Sequence, residues 1–175
     1  MLSLSSLAGW EEAVLASIAA ASGTPEERYR QIERSGMFGE YPAIVSGYVE
    51  LFDDEDSGLE ALKRALFLVW RSAMFSPDVT GIAALADGVA RTVLQRLDTV
   101  VRSDLADEEL AWMFAWYRES GEFALELLGA SPRVLRWKGD LAADAWRTAE
   151  IGPVTMRRRG QMGAYWLSLA TSAPQ

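Results

Sequence analysis

The chain has 175 residues, of which 50% are hydrophobic and 24% are charged, and its formal net charge is −8. This length and balance are typical of one globular domain with a single core. Histidine and cysteine are both absent, which removes the usual general base near neutral pH, the usual thiolate nucleophile and most ligands of zinc, haem and iron–sulfur clusters. The negative charge disfavours binding to DNA or RNA through the surface as a whole.

Nothing in the sequence predicts export or membrane insertion. The apolar amino-terminal segment carries neither Lys nor Arg, and Glu11 and Glu12 interrupt it, so it does not fit a secretory signal. No run reaches the roughly 18 uncharged residues that a spanning helix needs. We therefore expect a cytoplasmic protein with no membrane partner. Fifteen of the seventeen cationic residues are Arg, a bias that indicates GC-rich coding and is typical of a bacterial protein.

In chain order, apolar residues recur at intervals of three and four, which predicts helices, and strand-like alternation is scarce. The first helix is predicted to begin at Ser5 or Ser6 and to end at Gly23. Thr24, followed by Pro at the first helical position and Glu three residues on, has the capping-box signature of a second helix. A third helix is predicted over residues 41–52.

The segment 58–75 is apolar around most of its girth, so we predict that it forms the central helix. Ser57 and Glu60 predict a capping box at its start. Further helices are predicted from residue 82 or 87 to 102, from 107 to 129 with either a kink or a division at Gly121, and over 141–149. For the segment 155–170 a last helix is favoured over a short strand or an extended tail.

These segments together predict an all-α fold. We expect an irregular bundle of about six to eight helices around the central apolar helix (residues 58–75). A single helical domain is predicted over residues 1–170, and residues 171–175 are predicted to fray.

Charge is distributed unevenly along the chain. Residues 131–160 carry a net charge of +4, and the remainder carries −12. The basic part contains the triplet Arg157, Arg158 and Arg159, which could contact an acidic partner or RNA. The simpler interpretations are that the basic segment neutralises acidic helices of the same molecule and that the triplet is a solvated face.

The sequence contains seven tryptophans, and two of them suggest a binding surface. Trp112 and Trp116 are one turn apart and share a helix face; with Trp70 and Arg71 they could line a ligand pocket or a partner-binding groove. The alternative is that the tryptophans fill the core, with each indole N–H bonded to a backbone carbonyl. If the neighbouring apolar line of the same helix forms the core, at least one of the two tryptophans lies near the surface.

Paired acids offer an enzymatic alternative. Glu119 and Glu122 are three residues apart, and Asp140 and Asp144 are four apart, so each pair is predicted to share a helix face. Two such pairs could hold Mg²⁺ against a di- or triphosphate. The pattern resembles the paired acids of all-helical nucleotide pyrophosphatases, which implies a magnesium-dependent phosphate hydrolase. The second pair is Asp-x-x-x-Asp, where that family has Glu-x-x-Asp.

The leading hypothesis is a non-enzymatic protein-interaction module, of the inhibitor or immunity type, whose acidic face binds a basic protein partner without a cofactor. No catalytic residue is assigned. The alternatives are the magnesium-dependent hydrolase and a bundle that binds an apolar ligand between helices near Trp112 and Trp116. The oligomeric state is left open by the sequence.

Overall fold

The computed structural model describes residues 2–83, 85, 87–137, 141–142, 144–149 and 152–172. Over these ranges it contains ten α-helices, two short 3-10 helices and no strand, which confirms the predicted all-α class. The α-helices are α1 (Leu4–Ala20), α2 (Pro25–Arg34), α3 (Glu40–Glu50), α4 (Gly58–Met74), α5 (Pro77–Thr80), α6 (Asp87–Arg102), α7 (Glu108–Leu127), α8 (Pro132–Arg136), α9 (Pro153–Met156) and α10 (Gly160–Ser172). No helix in this part of the chain is long and apolar enough to cross a membrane.

Helix α4 lies at the centre of the bundle, as predicted for residues 58–75. Helices α3, α6, α7 and α10 all pack against it, so its middle is covered on every side. Each residue from Ala61 to Trp70 is buried, including Lys63 and Arg64. A helix that is apolar around its girth can bury its whole surface only in such a position.

Local signals predicted some helix starts correctly. The Thr24 box is present: Glu27 N–H donates to Thr24 Oγ1 at 3.3 Å, and Thr24 N–H donates to a Glu27 carboxylate oxygen at 2.8 Å. The predicted start of the first helix at Ser5 or Ser6 is wrong, because Ser3 caps α1. Ser3 Oγ accepts from Ser6 N–H at 3.1 Å, and Ser6 Oγ accepts from Ser3 N–H at 2.9 Å.

The capping box predicted from Ser57 and Glu60 is also wrong. The Ser57 hydroxyl donates to Asp54 Oδ1 at 2.7 Å and makes no cap hydrogen bond. The Glu60 carboxylate instead accepts from Arg64 Nε and from Arg159 Nη2, each at 2.7 Å. Two charge-assisted bonds to guanidinium groups are stronger than one bond to a backbone N–H, so tertiary pairing overrides the local signal.

The carboxyl-terminal third departs most from the prediction. Gly121 has non-helical backbone angles (φ −169°, ψ 44°) and kinks α7 as predicted. The helix predicted over residues 141–149 is wrong: its described part contains only a 3-10 turn, Ala145–Thr148. The last helix favoured for 155–170 is confirmed from Gly160 onward as α10, whereas Thr155 and Met156 belong to the separate short helix α9. Thr171 and Ser172 still belong to α10, and residues 173–175 of the predicted frayed end lie outside the described residues.

Candidate functional site

The predicted tryptophans meet in one aromatic cluster between α4, α7 and α10. Trp166, which is fully buried, lies at its centre. Its ring centroid is 4.7 Å from that of Trp112 and 6.4 Å from that of Trp116. The cluster comprises Phe67, Trp70, Trp112, Trp116, Tyr117, Trp146, Tyr165 and Trp166. Trp70 and Trp112 are buried and Trp116 is half-buried, so these rings serve mainly as core.

Tyrosine hydroxyls, rather than the predicted backbone carbonyls, accept two of the indole N–H groups. Trp116 Nε1 donates to the Tyr165 hydroxyl at 2.8 Å, and Trp166 Nε1 donates to the Tyr117 hydroxyl at 3.3 Å. Trp70 Nε1 is buried without a hydrogen-bond partner among the described residues. The two Trp–Tyr pairs tie α7 to α10 and fix the orientation of the rings.

Arg71 lies at the edge of the aromatic cluster, on the last turn of α4. Its guanidinium carbon is 4.1 Å from the ring centroid of Phe75 and 5.3 Å from that of Tyr165. Its Nε donates a long hydrogen bond of 3.4 Å to Gln161 Oε1. Burial lowers the pKa of Arg71 below its ordinary value, although a guanidinium remains charged in proteins.

The predicted basic triplet is divided by the fold. Arg157 and Arg158 are exposed, whereas Arg159 is buried. Arg159 Nη1 donates to Glu109 at 2.6 Å and Arg159 Nη2 donates to Glu60 at 2.7 Å. Only the first two arginines can therefore contribute to a basic surface.

Arg159 belongs to an ion network that also contains Glu60, Lys63, Arg64, Asp107 and Glu109. We name it the buried ion network because its three cations are buried, although Asp107 is exposed. Lys63 Nζ donates to both Asp107 and Glu109 at 2.5 Å. Burial acts to raise the pKa of Glu109, but hydrogen bonds from Arg159 and Lys63 outweigh it and lower that pKa below its usual value. Three cations thus balance three carboxylates, and the network is internally neutral.

A second polar group inside the core was missed by the sequence analysis. Glu11 is 1% exposed. Its carboxylate accepts from the Tyr48 hydroxyl at 2.5 Å and from Gln161 N–H at 2.8 Å. Gln161 Nε2 continues the chain of hydrogen bonds to the Tyr41 hydroxyl at 2.7 Å and to the carbonyl of Thr80 at 3.0 Å.

The pKa of Glu11 is raised from 4.5 to about 7, chiefly because burial destabilises the carboxylate. Hydrogen bonds from Tyr48 and Gln161 and the charge of Arg64 act in the opposite direction, whereas the charge of Glu12 raises the pKa further. A signal was present in the sequence, since Leu7, Glu11, Val14 and Ile18 follow one helical stripe and the three apolar members are buried. An acid on such a stripe faces the core.

A groove of about 480 Å³ lies beside Trp112. It runs between the start of α7 and the 3-10 turn, and its lining residues are Glu108, Glu109, Trp112, Leu141, Ala145, Thr148 and Ala149. Its volume lies within the range of small-molecule sites. Trp116 does not line the groove, so Trp112 is the member of the predicted Trp pair that contributes to it.

The second half of α7 presents an unusual outer face, which we name the α7 stripe: Glu122, Phe123, Glu126 and Leu127. Phe123 is 76% exposed and Leu127 is 77% exposed. They are four residues apart and so lie on one line of the helix, while Glu122 and Glu126, both exposed, form the adjacent line. Leu125 on the opposite face is fully buried, which fixes the orientation of this half-helix.

The acid pairs of the magnesium hypothesis are not assembled in the described residues. Glu119 and Glu122 are exposed and the kink at Gly121 lies between them. Asp144 is exposed at the start of the 3-10 turn, and Asp140 lies outside the described residues. No group of three or more acidic or other metal-ligating side chains converges in the part of the chain that the structure describes. The magnesium site stays a prediction.

The fold and these sites define an all-α bundle with two buried polar networks and one exposed face that combines apolar and acidic side chains. Comparison of the chain with models of protein families, with curated proteins and with solved structures finds no match. The functional argument therefore rests on the geometry of the molecule itself.

Proposed function

We propose that this chain is a protein-interaction module that binds a basic protein partner through the α7 stripe. The observation that carries the proposal is the exposure of Phe123 and Leu127, three quarters of whose surfaces are open. Large apolar side chains at adjacent turns of one helix are typical anchors for a hydrophobic groove. The mode of action that fits best is occupation of a partner's surface, as inhibitor and immunity proteins do.

The charges around these anchors specify the partner. Glu122 and Glu126 flank Phe123 and Leu127, and the whole chain carries a net charge of −8. A groove edged by Lys or Arg would pair with the two carboxylates, and the net charge would accelerate the encounter. A second copy of this chain fits poorly, because two acidic stripes would face each other.

The test is a binding measurement on an identified partner. A partner is captured from a lysate of the source cell, identified and purified, and its affinity is measured calorimetrically for the parent and for the F123S/L127S double variant. We expect the double variant to weaken binding at least tenfold, because both anchors are lost. The matched control is Leu105→Ser, which changes a side chain that is 67% exposed and lies outside the stripe.

The charge contribution has its own readout. E122K/E126K should weaken binding and reverse its dependence on salt, because the interaction changes from attraction to repulsion. Equal affinity of the parent and F123S/L127S for every captured partner would contradict the proposal. A dimer in sedimentation equilibrium that F123S/L127S dissociates would reassign the stripe to self-association.

A second candidate function is supported by the groove beside Trp112. Its volume of about 480 Å³ is that of a small-molecule site. Trp112, Leu141 and two alanines offer apolar contacts to a ligand, and Glu108, Glu109 and Thr148 make the rest of the lining polar. An acyl or aromatic compound in the groove should quench the fluorescence of Trp112, and Ala145→Trp should abolish that response by filling the groove. Quenching that persists in Ala145→Trp would place the ligand elsewhere.

A further inference from the structure

Arg71 differs from the two arginines of the buried ion network because no carboxylate among the described residues pairs with it. Arg64 and Arg159 each bond to carboxylates. Arg71 forms no ion pair with any carboxylate among the described residues, and its hydrogen bond to Gln161 is long, at 3.4 Å. A partly dehydrated cation with free donors is costly, and an incoming anion would compensate for the lost hydration.

Aromatic side chains beside Arg71 restrict the orientation of its guanidinium group. Phe75 and Tyr165 lie 4.1 Å and 5.3 Å from its central carbon. Aromatic rings stack on the faces of a guanidinium and leave its N–H edge available for an acceptor in the same plane. The side chain is partly exposed, so a ligand can approach that edge from solvent.

We propose that Arg71, with Phe75 and Tyr165 beside it, is the binding site of a monoanionic carboxylate that carries an apolar group. A carboxylate matches the two parallel donors of a guanidinium. Phe75 is 38% exposed and offers an apolar surface for the group attached to that carboxylate. The net charge of −8 opposes anions, and it opposes a doubly charged phosphate more than a singly charged carboxylate.

This site is independent of the α7 stripe, since it is built from α4 and α10 and its ligand is small. Its test uses the isolated chain and no protein partner. Failure of one proposal therefore leaves the other unaffected.

The experiment is a titration with benzoate, followed by the NMR cross-peak of Arg71 Nε–H and by tryptophan fluorescence. We expect saturable changes in both signals, with a Kd of about 1 mM, which is typical of a site with one ion pair and little buried area. Arg71→Gln should abolish the fluorescence response, and Arg71→Lys should weaken binding about tenfold because the paired donors are lost. Arg158→Gln removes an exposed cation and is the control for net charge.

Two further comparisons identify the ligand class. Phe75→Ala should weaken the binding of benzoate but not of acetate, because only benzoate has a ring to place on Phe75. If the natural ligand is the carboxyl terminus of a polypeptide, a peptide with a free carboxyl-terminal Phe should compete with benzoate, whereas the amidated peptide should not. If the free peptide does not compete, the natural ligand is a small carboxylic acid.

Several outcomes would overturn the inference. The first is an Arg71 cross-peak in the parent chain that benzoate does not shift at concentrations up to about 50 mM, well above the expected Kd. This readout uses the parent alone and does not depend on the folding of a variant. The second is tighter binding of inorganic phosphate than of benzoate, which would reject the carboxylate class. The third is an unchanged benzoate response in Arg71→Gln.

Discussion

The carboxyl group of Glu11 lies where α1, α3 and α10 meet, without contact with solvent. Its hydrogen bonds to Tyr48 and Gln161 connect three helices that are far apart in sequence. Burial raises its pKa to about 7, so the carboxyl is largely protonated in the folded chain at mildly acid pH. The free energy of unfolding must then depend on pH, because the unfolded chain loses that proton near 4.5.

The first prediction is that the parent chain loses stability as the pH rises from about 4.5 to about 7. Over this window the folded state binds more protons than the unfolded state, and the full effect is about 3 kcal/mol. Glu11→Gln should abolish the slope and exceed the parent in stability at pH 8, because the amide oxygen can accept from Gln161 N–H and the amide N–H can donate to the Tyr48 hydroxyl without a buried charge. Urea unfolding at pH 5 and pH 8 measures both effects.

Two exposed or half-exposed carboxyls with lowered pKa values, Asp54 and Asp98, act outside this pH window. Hydrogen bonds from Ser57 and Ser131 hold the pKa values of Asp54 and Asp98 below their ordinary values. Stability that depends on these two carboxylates is lost only as the pH falls, below the window assigned to Glu11. A slope between pH 5 and pH 8 that survives in Glu11→Gln would show that another group is responsible.

The second prediction concerns Gly160, which packs against the same carboxyl. Its φ is +58°, and a Cβ atom there would lie 2.7 Å from the Glu11 carboxyl carbon. Gly160→Ala should destabilise the fold by more than the roughly 1–2 kcal/mol of left-handed strain alone. Gly36→Ala supplies that reference, since Gly36 has a φ of +77° and open space around its Cα. If chemical denaturation gives the same loss of unfolding free energy for Gly160→Ala and Gly36→Ala, the contact with Glu11 adds no destabilisation.

At the scale of the element, α7 changes character at Gly121. Its first half contributes the buried Trp112, Phe114 and Tyr117, and its second half buries Leu125 but exposes Phe123 and Leu127. The kink allows the two halves to meet different surroundings. The exposed Phe123 and Leu127 are therefore not part of the core, although their spacing of four residues is the same as that of core residues along a helix.

The third prediction compares two leucines of this half-helix. Leu125→Ala should cost about 2–5 kcal/mol, because it leaves a cavity at a fully buried position. Leu127→Ala should change the free energy of unfolding by no more than about 0.5 kcal/mol, because its side chain is 77% exposed. Thermal or urea denaturation of both variants provides the measurement. A large loss for Leu127→Ala would mean that the α7 stripe is part of the core and would remove the basis of the proposed function.

At the scale of the whole molecule, the buried ion network joins segments that lie up to 99 residues apart. Arg159 precedes α10, Glu60 and Lys63 lie on α4, and Glu109 lies on α7. Such a network is costly to desolvate and adds little net stability over an apolar core, but removal of one member leaves the remaining charges unbalanced.

The fourth prediction uses the two neighbouring arginines as a matched pair. Arg159→Ala should destabilise the chain by about 3–5 kcal/mol, because Glu60 and Glu109 lose their shared cation inside the fold. Arg158→Ala should change stability by less than about 0.5 kcal/mol, since Arg158 is exposed. Denaturant unfolding measures the free energy of unfolding of both variants. Similar losses in the two variants would mean that the ion network is not formed in solution.

The helical class, the central helix and the cap at Thr24 could be predicted from the amino-acid sequence, because each depends on side chains within a few residues of one another. The tertiary structure alone decided the roles of charged and aromatic residues. Glu60 was predicted to cap a helix and Arg159 was predicted to belong to a basic surface. In the structure the two side chains pair with each other. Phe123 and Leu127 lie on the surface because no other helix in the described part of the chain covers them. Burial and ion pairing depend on which distant segments come together, and periodicity along one helix contains no information about that choice.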